Sequence, residues 1–147
     1  MGRKSTYIKR VSAHMPYSAT FKDHLANPRN AGELENATAS GEETNPVCGD
    51  RMRISLRVRD GRVDAVGFLA YGCPPTLVCG SALSELITGK TIEEATRLTR
   101  KDLLDAIGGL PSRKQHAAAL AIETLRAALA TSGGKGGVPS GAAPLGC

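Results

Sequence analysis

The chain is poor in aromatic residues. It has no tryptophan, two phenylalanines and three tyrosines among 147 residues. Its core must therefore be built from Leu, Ile, Val and Ala. Few rings are left to form the stacking platforms that single-stranded nucleic acids require. Long apolar runs are also missing. No stretch approaches the roughly 18 residues of a membrane span, and none reads as the apolar segment of a secretory signal. There is no C-x-x-C pair. The four cysteines, at 48, 73, 79 and 147, are irregularly spaced. That spacing does not read as a secreted disulfide framework. It fits free thiols in a reducing cytoplasm, some of them bound to metal.

Charge is present with a modest basic excess. Nineteen Lys and Arg stand against fourteen Asp and Glu, for a formal net charge of +5. A basic surface admits nucleic acid as a partner, but no nucleic-acid motif accompanies it. An acidic protein partner fits at least as well. Arg51, Arg53, Arg57 and Arg59 alternate along one segment, a strip that is either solvated or a contact for such a partner.

The pattern along the chain divides it into three. Residues 1–15 are basic and are expected to form a disordered extension. Residues 16–131 carry the periodic segments, and 132–147 are rich in Gly, Pro and Ala, as in a flexible tail. Within the middle part, Tyr17 to Ala26 is expected to be helical and to stop at Asn27-Pro28. A strand is expected near Gly32 to Ala39. Arg51 to Arg59 alternates as a strand, with Met52, Ile54, Leu56 and Val58 on one face. Asp60-Gly61 is a tight-hairpin signal, returning a second strand over Arg62 to Tyr71.

Helices follow. Pro74-Pro75 opens one that ends at Gly89. Thr91 with Glu94 forms a capping box, and Thr99 with Asp102 starts another helix that ends at Gly108-Gly109. Ser112 with Gln115 reads as a further capping box, for a last helix to about Ala130. Strands first and helices later predict an α+β domain, with helices packed on one face of a small antiparallel sheet.

The chemistry is concentrated at four positions. Cys48 lies in a Pro-x-Cys-Gly turn before a strand, and Asp50 stands two residues on, on the same side of an extended segment. Cys73 is placed just before a helix, where the dipole and free N–H groups favour a thiolate. His116 falls in the first turn of the last helix. Two thiolates, a carboxylate and an imidazole suit Zn2+, Fe2+ or a [2Fe–2S] cluster. The spacing is equally compatible with two half-buried structural cysteines and a solvent-exposed histidine. Cys79 shares a stripe with Leu83 and Leu86 and is expected to be a buried structural thiol. Cys147 ends the tail.

At these residues the sequence resembles the IscU/NifU N-terminal family of iron–sulfur cluster assembly scaffolds. The resemblance runs from about Tyr17 to Leu129. It rests on Tyr17-Ser18, Asp23-His24, Asn27-Pro28-Arg29-Asn30, Cys48-Gly49-Asp50, Gly72-Cys73, Gly89-Lys90, and Leu110-Pro111-x-x-Lys114 before His116. It implies a scaffold rather than an enzyme. Such proteins take iron, and sulfur from a cysteine desulfurase. They hold a labile cluster at three cysteines helped by an aspartate, and pass it to apo-proteins.

Here Cys48, Asp50 and Cys73 match that pattern. Ala117 stands where the family has its third cysteine, beside His116. The resemblance leaves three expectations open. His116 completes the site, or Cys79 or Cys147 substitutes, or the chain is a paralogue with another role. Such a paralogue would be a zinc-binding sulfur acceptor or a non-catalytic regulator of the desulfurase. Leu110 to Lys114 corresponds to the family's chaperone-recognition loop but departs from it at Ser112 and Arg113.

Overall fold

A computed structural model describes residues 17–47 and 49–132. Cys48, Cys147, the basic extension and the Gly/Pro/Ala tail lie outside the described residues.

Three strands form one antiparallel sheet in the order β1-β2-β3. They are β1 (Ala39–Thr44), β2 (Arg51–Arg59) and β3 (Arg62–Tyr71). β1 replaces the strand expected near Gly32 to Ala39. That earlier stretch instead passes along the free edge of β3, where Gly32 N–H donates to Phe68 O and Phe68 N–H to Asn30 O. A polar Ser-Gly-Glu-Glu-Thr sequence carries no strand alternation. It pairs because β2 offers it an edge. The β2–β3 hairpin closes at Asp60-Gly61, both with positive φ as a type I′ turn demands.

The alternation seen in the sequence sets the faces. Met52, Ile54 and Leu56 pair with Ala70, Phe68 and Val66, and all but the half-buried Ala70 are buried. This face is covered by α2 (Pro74–Ile87) and α5 (His116–Ser132). At Gly41, partner of Ile54, a Cβ would lie 2.5 Å from Ala128 N and 2.9 Å from Ala127 C. Glycine there lets the α5 backbone sit directly on β1. On the opposite face the arginine strip is engaged within the chain. Arg53 pairs with Glu33 and Glu42, Arg51 with Glu42, and Arg57 with Asp64.

The short helices behave as their caps dictate. α1 (Ala19–Ala26) starts at Ser18, whose hydroxyl accepts from Phe21 N–H. α3 (Ile92–Thr96) and α4 (Arg100–Ala106) both open with complete capping boxes, at Thr91/Glu94 and Thr99/Asp102. The third box does not form. Ser112 lies inside a 3-10 turn (Ser112–Lys114) capped by Pro111, and Gln115 Nε2 donates to Leu110 O. Proline at 111 fixes the turn one residue early, so α5 begins at His116.

α1 and the Asn27–Asn30 segment are clamped onto α2 by buried polar contacts. His24 Nδ1 lies 2.6 Å from Ser81 Oγ. Arg29 N–H donates to Ser81 Oγ, and Asn30 Nδ2 to Ser84 Oγ. These contacts fix the helix that carries Cys73 at its start.

Candidate metal centre

Three structural junctions deliver the site. Asp50 closes the β1–β2 connection, Cys73 is the N-cap of α2, and His116 is the first residue of α5. The β1–β2 connection is held by its own backbone. Asn45 N–H donates to Asp50 O, Gly49 N–H donates to Asn45 O, and Val47 N–H donates to Asn45 Oδ1. Gly49 has φ +80° and so reverses the chain immediately before Asp50.

Asp50 turns inward and its side chain is only 10% exposed. Gly72 makes room for it. Its φ is +150°, and a Cβ at that position would fall 2.5 Å from Asp50 Cγ. The two expected neighbours of Cys48 and Cys73, Gly49 and Gly72, therefore serve the carboxylate. Oδ2 is the focus of the arrangement. Cys73 Sγ lies 3.5 Å from it and His116 Nε2 3.5 Å from it. Thr76 Oγ1 donates to it at 2.9 Å.

His116 is half-buried with a side chain 10% exposed, not the surface histidine that its position alone allowed. Its Nδ1 lies 3.2 Å from Arg113 O. A carbonyl oxygen can only accept, so Nδ1 carries the hydrogen and Nε2 is the atom presented to Asp50 and Cys73. Metal-binding imidazoles are oriented in this way, by donating their other N–H to a carbonyl or carboxylate.

One ligand atom each from Asp50, Cys73 and His116 lies within 4.8 Å of the others. Bond lengths of about 2.0–2.3 Å to O, N and S give tetrahedron edges of about 3.3–3.8 Å. The two 3.5 Å separations already fall in that range. Asp50 Oδ2 therefore stands at tetrahedral spacing from both the sulfur and the nitrogen, and the chemistry of the three donors suits a divalent ion. A fourth donor is needed, and Cys48, two residues from Asp50 in the sequence, lies outside the described residues.

One expectation changes. The first turn of α2 does not offer its amides to Cys73. Pro74 and Pro75 occupy the first two positions and have no N–H, and Thr76 N–H is spent on Cys73 O. The groups near Sγ are instead Asp50 Oδ2 and Thr76 Oγ1, each at 3.5 Å. Cys79 is the buried thiol that its stripe predicts, and it is not among the converging groups. It is fully buried, and burial, reinforced by Cys73, pushes its thiol far above the usual range. Ala117 is likewise fully buried.

Thr76 is the residue that sequence reasoning missed. The signal was present as a hydroxyl three residues after a cysteine at a helix start, but the carboxylate it would meet is 26 residues away. Around the rim, Tyr71 is 46% and Val47 74% exposed, with the Arg51 guanidinium 4.6 Å from the Tyr71 ring centre. No helix among the described residues is long and apolar enough to cross a membrane.

Comparisons with known proteins place the chain in a family. The family described as NifU-like N terminal domain matches residues 16–137. An iron-sulfur cluster assembly scaffold protein IscU of Archaeoglobus fulgidus is 43% identical over 113 residues, covering 77% of this chain and 74% of that protein. The iron-sulfur cluster assembly scaffold protein IscU of Escherichia coli is 34% identical over 120 residues, covering 79% and 93%.

Among solved structures, a putative iron-sulfur cluster assembly scaffold protein for the SUF system of Fervidobacterium islandicum superimposes with a TM-score of 0.64. It is 23% identical and covers 77% of this chain and 96% of its own. The N-terminal NifU-like protein of Brucella abortus gives 0.66 at 16% identity, covering 81% and 95%. At those identities the structures speak for the fold, and the sequence match supplies the relationship. The chain belongs to the NifU-like N terminal domain family.

Proposed function

We propose that this protein is an iron–sulfur cluster assembly scaffold that binds iron and a labile cluster and passes the cluster to acceptor proteins. The observation that carries the reading is the convergence of Asp50, Cys73 and His116 within 4.8 Å at the junctions of three elements, in a chain whose relatives bear scaffold names. Cys48, Asp50, Cys73 and His116 are the proposed ligands. Iron and the cluster are cargo on this reading, so the site must hold them and also release them.

The chain's own residues suit that task. Cys73 supplies a soft thiolate at a half-exposed position, where an incoming or departing group can reach it. Asp50 supplies a harder oxygen donor, which binds cluster iron less firmly than a thiolate does. His116, aimed by Arg113 O, supplies a borderline nitrogen. A cysteine desulfurase as sulfur donor and apo iron–sulfur proteins as recipients complete the proposal.

A second reading follows from the donor chemistry and the two 3.5 Å separations at Asp50 Oδ2, which suit one divalent ion as well as one iron of a cluster. It is a zinc-binding sulfur acceptor, with Cys48 or Cys73 taking the sulfur.

The test is anaerobic reconstitution of the purified full chain with iron and sulfide, followed by iron, zinc and acid-labile sulfide analysis. Stoichiometric iron and sulfide are expected. Zinc alone would favour the sulfur acceptor, and no bound metal would refute both.

A further inference from the structure

The start of α2 is chemically unusual. A helix N-terminus ordinarily presents free amides to a neighbouring anion. Here the first two positions are Pro74 and Pro75, which have none, and the third amide returns to Cys73 O. The Thr76 side chain instead supplies a hydrogen bond to the carboxylate beside this turn. Thr76 is fully buried. As a β-branched residue in a helix it is restricted mainly to two side-chain rotamers. Its hydroxyl has one hydrogen, which goes to Asp50 Oδ2 at 2.9 Å. Oδ2 is also the oxygen that faces Cys73 Sγ and His116 Nε2.

We propose that Thr76 is a positioning residue for the metal-binding carboxylate. It pins Asp50 with Oδ2 turned toward Cys73 and His116, so that oxygen, sulfur and nitrogen are preset as one set of donors. The inference rests on the proposed reading of this site as a metal-binding centre. Gly72 leaves space for the carboxylate from one side and Thr76 holds it from the other. Neither residue is itself a ligand. Partners of this kind change metal affinity by roughly 10–100-fold when removed.

The test uses the full chain and Co2+ alone, whose thiolate charge-transfer and d–d bands report sulfur ligation and tetrahedral geometry separately. Thr76→Val keeps the shape and removes the hydroxyl. Cobalt should bind it about 10–100-fold more weakly, with the charge-transfer band retained and the tetrahedral d–d intensity reduced. Thr76→Ser should restore both.

In an Asp50→Ala background, Thr76→Val should add no further loss, because the group it acts on is gone. Wild-type affinity and d–d bands in Thr76→Val would overturn the proposal. So would an undiminished loss in the Asp50→Ala background, which would mean that Thr76 acts through the fold. If Thr76→Val does not fold, Thr76→Ser and Thr76→Ala decide, and equal cobalt affinity in those two overturns it. A wild-type chain that gives no thiolate-to-cobalt band at all would instead remove the metal-centre reading, and this inference with it.

Discussion

Replacing Gly72 with alanine perturbs the site from the side opposite Thr76. The new Cβ would lie 2.5 Å from Asp50 Cγ and 3.0 Å from Asp50 Cβ. Carbon atoms in ordinary contact stand about 3.5–4.0 Å apart, so the carboxyl group must retreat by about 1 Å. Overpacking of this kind costs about 1–3 kcal/mol. Holding a residue with a side chain at φ +150° adds about 1–3 kcal/mol of backbone strain. Gly72→Ala should therefore lose about 2–6 kcal/mol from a total stability of about 5–15 kcal/mol.

A 1 Å retreat also exceeds the roughly 0.2 Å tolerance of a metal–ligand bond. Zn2+ binding should weaken by about tenfold or more, in line with the loss of a group that supports a ligand. Urea unfolding of the metal-free protein and a competitive zinc titration measure the two effects. In an Asp50→Ala background the steric part should shrink and the backbone part persist. An unchanged unfolding midpoint together with unchanged zinc affinity would refute the packing argument.

Three other outcomes are expected. His24 is buried against Ser81, and burial, with Arg29 nearby, holds its pKa below the usual 6.5. The Glu85 and Asp23 carboxylates oppose that shift without reversing it. The unfolded chain then binds more protons as pH falls below about 6.5, so stability should fall as pH drops through the folded pKa. Urea midpoints should decline less over that window in His24→Asn.

Cys79 should resist alkylation in the native state while Cys73 reacts. Its reaction requires an opening that costs a large share of about 5–15 kcal/mol, and peptide mass spectrometry over time reads both sites. Equal rates would contradict its burial. Thr91→Ala should cost about 1 kcal/mol in thermal unfolding, because it breaks a complete capping box. Ser112→Ala should be nearly neutral, because no such box forms there.

Much of this fold was legible where a physical signal was local. The β2 alternation, the Asp60-Gly61 turn, the boxes at Thr91 and Thr99 and the proline start of α2 all concern neighbouring residues. β1 was not legible. Its Ala39–Thr44 sequence has no apolar alternation, and it is a strand because β2 pairs with it and α5 lies on Gly41. The intrachain pairing of the arginine strip was not legible for the same reason. Its acidic partners include Glu33 and Glu42, which come from segments that the sequence does not mark as neighbours.

At the site, all four proposed ligands could be picked out by residue type and motif; the structure brings Asp50, Cys73 and His116 together, and Cys48 lies outside the described residues. What supports them could not be read from the sequence. Thr76 meets Asp50 across 26 residues, and Arg113 O orients His116 only because Pro111 sets the 3-10 turn.

On the proposed reading, the alanine at 117 leaves the site one thiolate short of the family pattern. Ala117 and Cys79 are both fully buried, and Cys79 is not among the converging donors. On the proposed reading the centre works with the thiolates of Cys48 and Cys73, the Asp50 carboxylate and the His116 imidazole. Soft thiolates are the donors that hold clusters most firmly. Exchanging one of them for nitrogen shifts the balance toward single Zn2+ or Fe2+ ions and toward looser retention of a cluster.

The hydroxyl of Thr76 acts in the opposite direction by fixing the carboxylate in place. Preset donors lose less freedom when metal binds. A centre poorer in sulfur then depends more heavily on the rigidity of its remaining ligands. Here that rigidity comes from a glycine that gives Asp50 its space, a threonine that pins it, and a carbonyl that aims His116.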